Sequence, residues 1–487
     1  MSHRTRSVGI ALVALLALVA AACGQKPGVS EQAAPAGAFG AAPVTDAEGN
    51  IIDPTTGEVI GTTDDLTGTS AGPGGSTTVG GATSTGGPAG STEGGQAATD
   101  ASGAPAGGDA TGVTNTTIKI GTHAPLTGAA PVPSDAVDKG KDLYFRWLDH
   151  NNKDIFGRLV EVLIKNDQYN PSSAVAICKE MVQKDRVFLL SGAAGTDQIQ
   201  ACARYAASVG VPYISAGVTM AGLTNLPQYF ATSMSYHDQG PYMADYLTSK
   251  LGARGEKNGV IIYQTASFAD ARQGFLDGMK RYGARVHYDR QVPKSAGVSE
   301  ARTVVQELSS AGIENVYVDV APVWFLQVLS EAGRQGYNPQ WVGPGITMTF
   351  DTVANIGCRN SSGFDGAKFF SPFPAYSETN RYDPNFRKAL TTLTNEDEAD
   401  SDRDNDFIWL GWYANRVFAD MLDVVGRNLT RERFVYFVQR AKNLKNGIGP
   451  TLNYTPGDPF GADTVHVSEV SCNDGRWHTI QSFVKDF

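Results

Sequence analysis

From Thr117 onward the chain alternates apolar runs with amphipathic segments. TIKIGTHAPL, LVEVLIKND, VFLLSGA and VPYIS read as strands, and GKDLYFRWLDHNN, PSSAVAICKEMVQKD and TDQIQACARYAASVG, set between them, carry the 3.6-residue spacing of helices. The theme then repeats. NGVIIYQ, RVHYDRQV, NVYVDV and QWVGPG are strands, separated by the helices ADARQGFLDGMKRYG, EARTVVQELSSAG and VWFLQVLSEAGRQG. Strands joined through helices of this length form parallel sheets by βαβ crossovers. Two such series predict an α/β chain of two doubly wound parallel-sheet lobes, with ligands held beyond the carboxyl ends of the strands. DFIWLGWYANRVFADMLDVVG and RERFVYFVQRAKNL add two helices, and short β segments close the chain.

The front of the chain follows other rules. Arg4 and Arg6 precede an apolar run from Val8 to Ala22, too short for a bilayer span of roughly 20 residues. A positive start, a short apolar run and small residues read as a secretory signal over residues 1–22. Cys23 directly after Ala20-Ala21-Ala22 resembles a bacterial lipobox, with Ala20 where a leucine usually stands. The resemblance implies that Cys23 is acylated and holds the exported protein to the outer face of the cell membrane. Between Pro27 and Ile118 there is no Lys or Arg, and Phe39 is the only aromatic residue. Such a segment cannot bury enough apolar surface to offset its chain entropy. Residues 23–116 are therefore expected to be a disordered tether spanning about 50 Å. TDAEGNIIDPTTGEVIG, within it, hints at two short strands too small to be stable alone.

The tether also carries the charge. Ten of the 50 acids lie between Glu31 and Asp109, leaving 40 Asp and Glu against 37 Lys and Arg from Lys119 onward, although the whole chain stands at −10. A nearly neutral folded part argues against nucleic acid as a partner.

The ordered series IGTHAPLTGAA, NDQYNPSSAVAICKEMVQKDRVFLLSGAAGT, VGVPYISAGVTMAGLT, MSYHDQGPYMADYL, VLSEAGRQGYNPQWVGPGI, FDGAKFFSP and IGPTLNYTPGD resembles the type 1 periplasmic binding proteins. It looks most like the branched-chain amino-acid binding proteins of ABC transporters. The resemblance implies two lobes joined by a three-segment hinge within residues 117–487. Lobe I covers about 117–234 and 369–445, and lobe II about 235–368 and 446–487. It further implies closure on a small molecule, docking on ABC permease subunits and no cofactor. Setting Cys23 aside, four cysteines allow three pairings. None has CxxC spacing, which argues against zinc. The lobes assigned by resemblance favour Cys178–Cys202 and Cys358–Cys472, because a bond across lobes would lock the hinge.

Candidate ligand-binding residues come from loops after strands. SGAAGTDQIQ sets Gly195 and Thr196 where a helix begins, offering a hydroxyl and free N–H groups to an anion. SAGVTMAG offers Gly217, for close backbone approach, and Thr219. Ser, Thr and Gly also favour ordinary caps and turns. The resemblance assigns both loops to a ligand carboxylate. It also calls for a glutamate facing an α-ammonium where this chain has Trp324, for a tyrosine–glycine pair where it has Ser267-Phe268, and for an aromatic residue where it has Pro133. Trp324 and Phe268 are thus either lining for an apolar or aromatic ligand, or core. Asp319, ending NVYVDV, is the nearest acid to stand in. A ligand with a carboxylate or similar acceptor and an apolar body is expected, other than leucine, isoleucine or valine.

Enzyme motifs are missing: there is no HExxH, no GxxxxGK loop and no GxSxG elbow between a strand and a helix. In NEDEADSDRDND an EF-hand register from Asp400 puts Asn405 and Gly411 where glycine and glutamate are required. A solvated acidic loop accounts for that run. The expectation is a lipid-anchored solute-binding protein of an ABC importer, not an enzyme, capturing an amino-acid-like, amide or carboxylate ligand. The alternative is a ligand-sensing receptor on the same fold.

Overall fold

The computed structural model describes residues 50–52, 59–62, 99–394 and 405–485. The signal segment, Cys23, most of the tether and residues 395–404 of the acidic run lie outside them. Near the chain start, β1 (Asn50–Ile52) and β2 (Val59–Thr62) pair antiparallel.

The first large sheet contains β3 (Thr117–Ala124), β4 (Leu159–Asn166), β5 (Leu189–Gly192), β6 (Tyr213–Ser215) and β7 (Tyr229–Ala231) in the order β4-β3-β5-β6-β7. All its pairings are parallel. β5 and β6 are buried throughout, as a parallel sheet covered on both faces requires. The covering helices include α1 (Ser134–Gly140), α2 (Leu143–His150), α3 (Pro171–Gln183) and α4 (Thr196–Ser208). Pro171 at the first position of α3, with the Asn170 side chain accepting from Ser172 N and Ser173 N, shows why that helix starts where it does.

The chain then crosses into α5 (Tyr236–Lys250), β8 (Asn258–Tyr263), α6 (Ala266–Arg281), β9 (Val286–Val292), α7 (Val298–Ala311), β10 (Asn315–Asp319), α8 (Pro322–Gln335), β11 (Gln340–Pro344), α9 (Asp351–Asn360) and β12 (Lys368–Ser371). The second sheet runs β9-β8-β10-β11-β12 in parallel, the same winding as the first. A second crossing leads through α10 (Thr379–Tyr382) and α11 (Pro384–Leu393) to α12 (Asn405–Val425) and α13 (Arg431–Val438). α12 packs on α1 and α2, where Asn415 donates to the carbonyls of Gly140 and Lys141. Phe460 bridges to Ala231 at the end of β7. The chain then makes its third crossing, into β13 (Val465–Ser471) and β14 (Arg476–Val484), antiparallel strands that extend the second sheet beyond β12. The structure is thus two doubly wound lobes joined by three crossings. Cys178 bonds Cys202 between α3 and α4, and Cys358 in α9 bonds Cys472 just beyond β13.

Three boundaries need correction. The first lobe resumes after β12 ends at Ser371, not at 369, because β12 pairs with β11 in the second sheet. It also extends past 445, since Tyr454 Oη donates to Ala231 O and Phe460 bridges to Ala231, so the second lobe resumes only at β13 and not at 446. Residues 99–116, expected to belong to the disordered tether, form a strap on the first lobe. Ala104 is fully buried, Asp100 pairs with Arg433, and Asp109 pairs with Arg431. Arg431 also donates to the carbonyls of Val187 and Phe188, and Lys119 N donates to Gly112 O. Composition marked this segment as tether because it is held by a few long-range contacts rather than by an apolar face of its own. Truncation to Thr99 is expected to leave the melting curve unchanged. Truncation to Thr117 is expected to cost about 2 kcal/mol, from the hydrogen bonds lost by partly buried Arg431 and by the backbone at Lys119. Calorimetry of the two truncations side by side checks this.

Candidate ligand site

In each sheet the strand order reverses once, between β3 and β5 and between β8 and β10. Loops leaving such a switch point diverge to opposite faces and leave a crevice beyond the strand ends. Both switch points open onto one cavity of about 290 Å³. The first lobe contributes the segments after β3 and β5, including Pro133, Gly195 and Thr196. The second contributes Asp319 at the end of β10, and Phe268 and Val323 from the segments after β8 and β10. A smaller cavity of about 90 Å³ adjoins it, sharing Ala193, Ala216 and Phe407 and reaching toward α12. The lining is overwhelmingly aliphatic and aromatic.

Polar groups are few. Gly195 takes φ 88° at the N-cap of α4, and no side chain caps that helix. Its first-turn N–H groups and the nine-tenths buried Thr196 therefore present donors and a positive dipole end to the cavity. Tyr169 and Tyr236 bring hydroxyls, and Tyr236 Oη accepts from Ile346 N at 3.4 Å. Asp319 lines the cavity with its carboxyl almost wholly buried, and burial pushes it well above the usual carboxylate range.

Of the residues expected from the sequence, Gly195, Thr196, Phe268 and Pro133 meet at this cavity, and so does Asp319. Gly217, Thr219 and Trp324 do not line it. In SAGVTMAG the alternate residues Ala216 and Val218 face the cavity instead. Gly217 N donates to Ser233 Oγ at 2.8 Å, and a Cβ there would stand 2.2 Å from Ser233 O. Its missing side chain therefore serves the packing of the first crossing. Trp324 stands a layer behind the wall, its Nε1 donating to Gly297 O at 3.3 Å and its ring 6.2 Å from that of Tyr263. On α8, Val323 and Leu326 share the cavity face, and 100° of helical turn carries Trp324 away from it.

Sequence reasoning missed Tyr169 and Tyr236. Tyr169 follows Gln168 in a turn where both take φ 56°, a conformation that costs about 1–3 kcal/mol per residue outside glycine. The turn is held by Asp167, whose Oδ1 accepts from Tyr169 N at 2.9 Å while Oδ2 meets His123 Nδ1 at 2.7 Å. His123 Nε2 in turn meets Tyr213 Oη at 2.6 Å. His123 also lies within 4.8 Å of Cys178 and Cys202, whose sulfurs are committed to their disulfide. The sequence signal for the turn was an acid at a strand end followed by an N-cap asparagine.

Two clasps bridge the lobes beside the cavity. Asp197, in the first turn of α4, accepts from Lys294 Nζ at 2.9 Å and from Thr265 Oγ1 at 3.0 Å, and Lys294 lies 4.0 Å over the Tyr169 ring. Asp270 on α6 accepts from Met220 N at 2.7 Å and from Thr219 Oγ1 at 3.2 Å. Its carboxylate also faces His237 Nδ1 at 3.4 Å, a contact that raises the His237 pKa to about 9 despite partial burial and keeps the ring protonated at neutral pH. Thr219 therefore acts between the lobes.

A family model described as a periplasmic binding protein matches residues 117–472. The chain belongs to the periplasmic binding protein family. Members of this family are binding proteins rather than enzymes, in keeping with a cavity lined mainly by apolar groups. Solved structures share the fold at low identity. A fatty acid ABC transporter substrate-binding protein from Thermomonospora curvata is 18% identical, covers 80% of this chain and 97% of its own, and gives a TM-score of 0.67. The branched-chain amino acid transporter substrate-binding protein of Streptococcus pneumoniae, in complex with isoleucine, is 16% identical over 75% and 99%, with a TM-score of 0.62. A solute-binding protein of an ABC transporter from R. palustris, in complex with benzoate, is 18% identical over 76% and 96%, with a TM-score of 0.60. Among curated proteins none matches the chain.

Proposed function

We propose that this periplasmic binding protein is the solute-binding component of an ABC importer, exported and held to the membrane by a lipid on Cys23. It closes its lobes on a small organic ligand and delivers it to the permease. The observation that carries this reading is the apolar cavity built by the switch points of both sheets. Its size and lining suit an aliphatic or aromatic body, and the uncapped N-terminus of α4 with Thr196 suits a carboxylate or amide oxygen. The structurally similar proteins named for fatty acid, isoleucine and benzoate support a ligand of this class.

The test is calorimetry on ligand-stripped protein with octanoate, benzoate, isoleucine and phenylalanine, backed by melting temperatures, which rise when a ligand binds only the folded state. Binding of at least one probe is expected. Thr196→Val should weaken it about 10- to 150-fold, the loss of a hydrogen bond to a charged group of about 1.5–3 kcal/mol. No binding by any of the four would overturn the reading.

A further inference from the structure

The smaller cavity beside the ligand site runs into the interior of the first lobe. It lies between that lobe's sheet, which contributes Thr122 of β3 and Val162 and Ile164 of β4, and α12. Leu410, Gly411 and Ala414 form part of the α12 wall, and all three are only half-buried although the helix lies over a sheet there. Protein interiors hold few voids larger than a water molecule, so about 90 Å³ of space between two layers calls for an occupant. This annex opens on the ligand cavity through a neck whose residues line both. Among them are Ala193, Ala194 and Ala216, faced by Ile346 and Thr347 of the second lobe.

Most polar side chains on the annex wall are already spent. Asn415 donates to the carbonyls of Gly140 and Lys141, and Lys141 pairs with Asp138. Ser215 Oγ donates to Ala216 O at 2.9 Å, Thr232 Oγ1 to Ser215 O at 3.3 Å and Tyr413 Oη to Thr232 O at 3.0 Å. A water held here would need about two to four polar partners, so the space suits apolar matter. Size narrows the choice. An apolar cavity of about 150 Å³ admits benzene, so the annex, at about 90 Å³, is too small for a ring but holds roughly three or four carbons of a chain. By the same scale the ligand cavity, at about 290 Å³, holds roughly twelve non-hydrogen atoms.

We infer that the space under α12 is a second subsite of the ligand cavity, and that it takes the end of an aliphatic chain. This rests on the solute-binding reading above and goes beyond it, adding a subsite that favours elongated ligands over compact ones. Thr232 of the first crossing and Phe373 of the second form part of the annex wall, so a chain seated there lies against the hinge.

The test is calorimetry on ligand-stripped protein with hexanoate, octanoate, decanoate, dodecanoate and tetradecanoate. Burying one methylene is worth about fourfold in affinity, and decanoate has about as many non-hydrogen atoms as the ligand cavity holds. Dodecanoate is nevertheless expected to bind at least tenfold more tightly than decanoate. Ala414→Leu, which fills the annex, should bring those two acids within threefold of each other and confine its effect to acids longer than octanoate. Leu410→Ala, which enlarges the annex, should raise the preference for tetradecanoate over dodecanoate at least threefold. Affinity that stops rising at decanoate in the unaltered protein would overturn the inference. So would an equal loss for every acid in Ala414→Leu, or its failure to fold, since an open annex has room for the leucine. Binding of isoleucine, phenylalanine or benzoate without any of the longer acids would overturn it while leaving the solute-binding reading intact. Silence from every probe would remove both.

Discussion

Replacing Cys358 and Cys472 together by alanine and serine should lower the stability of the folded unit by about 5 kcal/mol. The bond joins residues 114 apart, against 24 for Cys178–Cys202. In the chain-entropy account, the longer closed loop restricts the unfolded chain more, giving about 5 kcal/mol against about 3.5 kcal/mol. The bond ties α9 to the antiparallel edge formed by β13 and β14. Other contacts keep the edge in place without it. Asp351 Oδ1 accepts from Trp477 N at 3.0 Å, Trp477 Nε1 donates to Phe350 O at 3.2 Å, and Asp365 Oδ1 accepts from Cys472 N at 2.7 Å. The variant should therefore fold to the same structure and lose its stability chiefly through the freed unfolded chain. Urea unfolding of the two proteins reads the difference, and a loss below 2 kcal/mol would contradict it.

The second large effect lies where α5 crosses α6. Pro241, inside α5, has no N–H to give the carbonyl of His237 four residues earlier. Gly274 of α6 lies against that freed carbonyl, and a Cβ on it would stand 2.0 Å from His237 O. Gly240 faces it in the reciprocal way, its would-be Cβ 2.3 Å from Phe275 N. Both obstacles are backbone, so a methyl can be accommodated only by parting the helices. Gly274→Ala is expected to cost about 3 kcal/mol or more, at the upper end of overpacking losses, and to lower the melting temperature by about 4 °C or more. Gly255→Ala, with open space around it and no positive φ, should change the melting temperature by less than 2 °C, within the range of ordinary surface substitutions. Because α5 begins with Tyr236 at the cavity wall, ligand affinity should fall along with stability. Thermal unfolding and calorimetry of the two variants separate these outcomes.

The strands and helices of both lobes were legible because each buried parallel strand writes a continuous apolar run, as in NGVIIY and NVYVD, bounded by an amphipathic helix. The disulfide partners were legible once the lobes were assigned. The phase of α8 was not, since VWFLQ presents Val323 and Leu326 on one side and Trp324 on another, and only the packed sheet decides which side meets the cavity. Tyr169 and Tyr236 stand 67 positions apart, on different lobes, and only the folded chain brings them near Asp319. The start of the folded unit was misjudged for the same reason. Asp100 and Asp109 look like tether acids until Arg433 and Arg431, more than 300 positions later, claim them.

That strap also determines how the molecule bears load. A pull applied to the N-terminal chain meets Asp100 and Arg433 first and then Asp109 and Arg431, whose guanidinium is held by the carbonyls of Val187 and Phe188 just before β5, in the middle of the first sheet. These attachments all lie within the first lobe, and none of them belongs to any of the three crossings. The second lobe hangs free of the line of tension, so the protein can be moored and stretched without its jaws being forced open or shut.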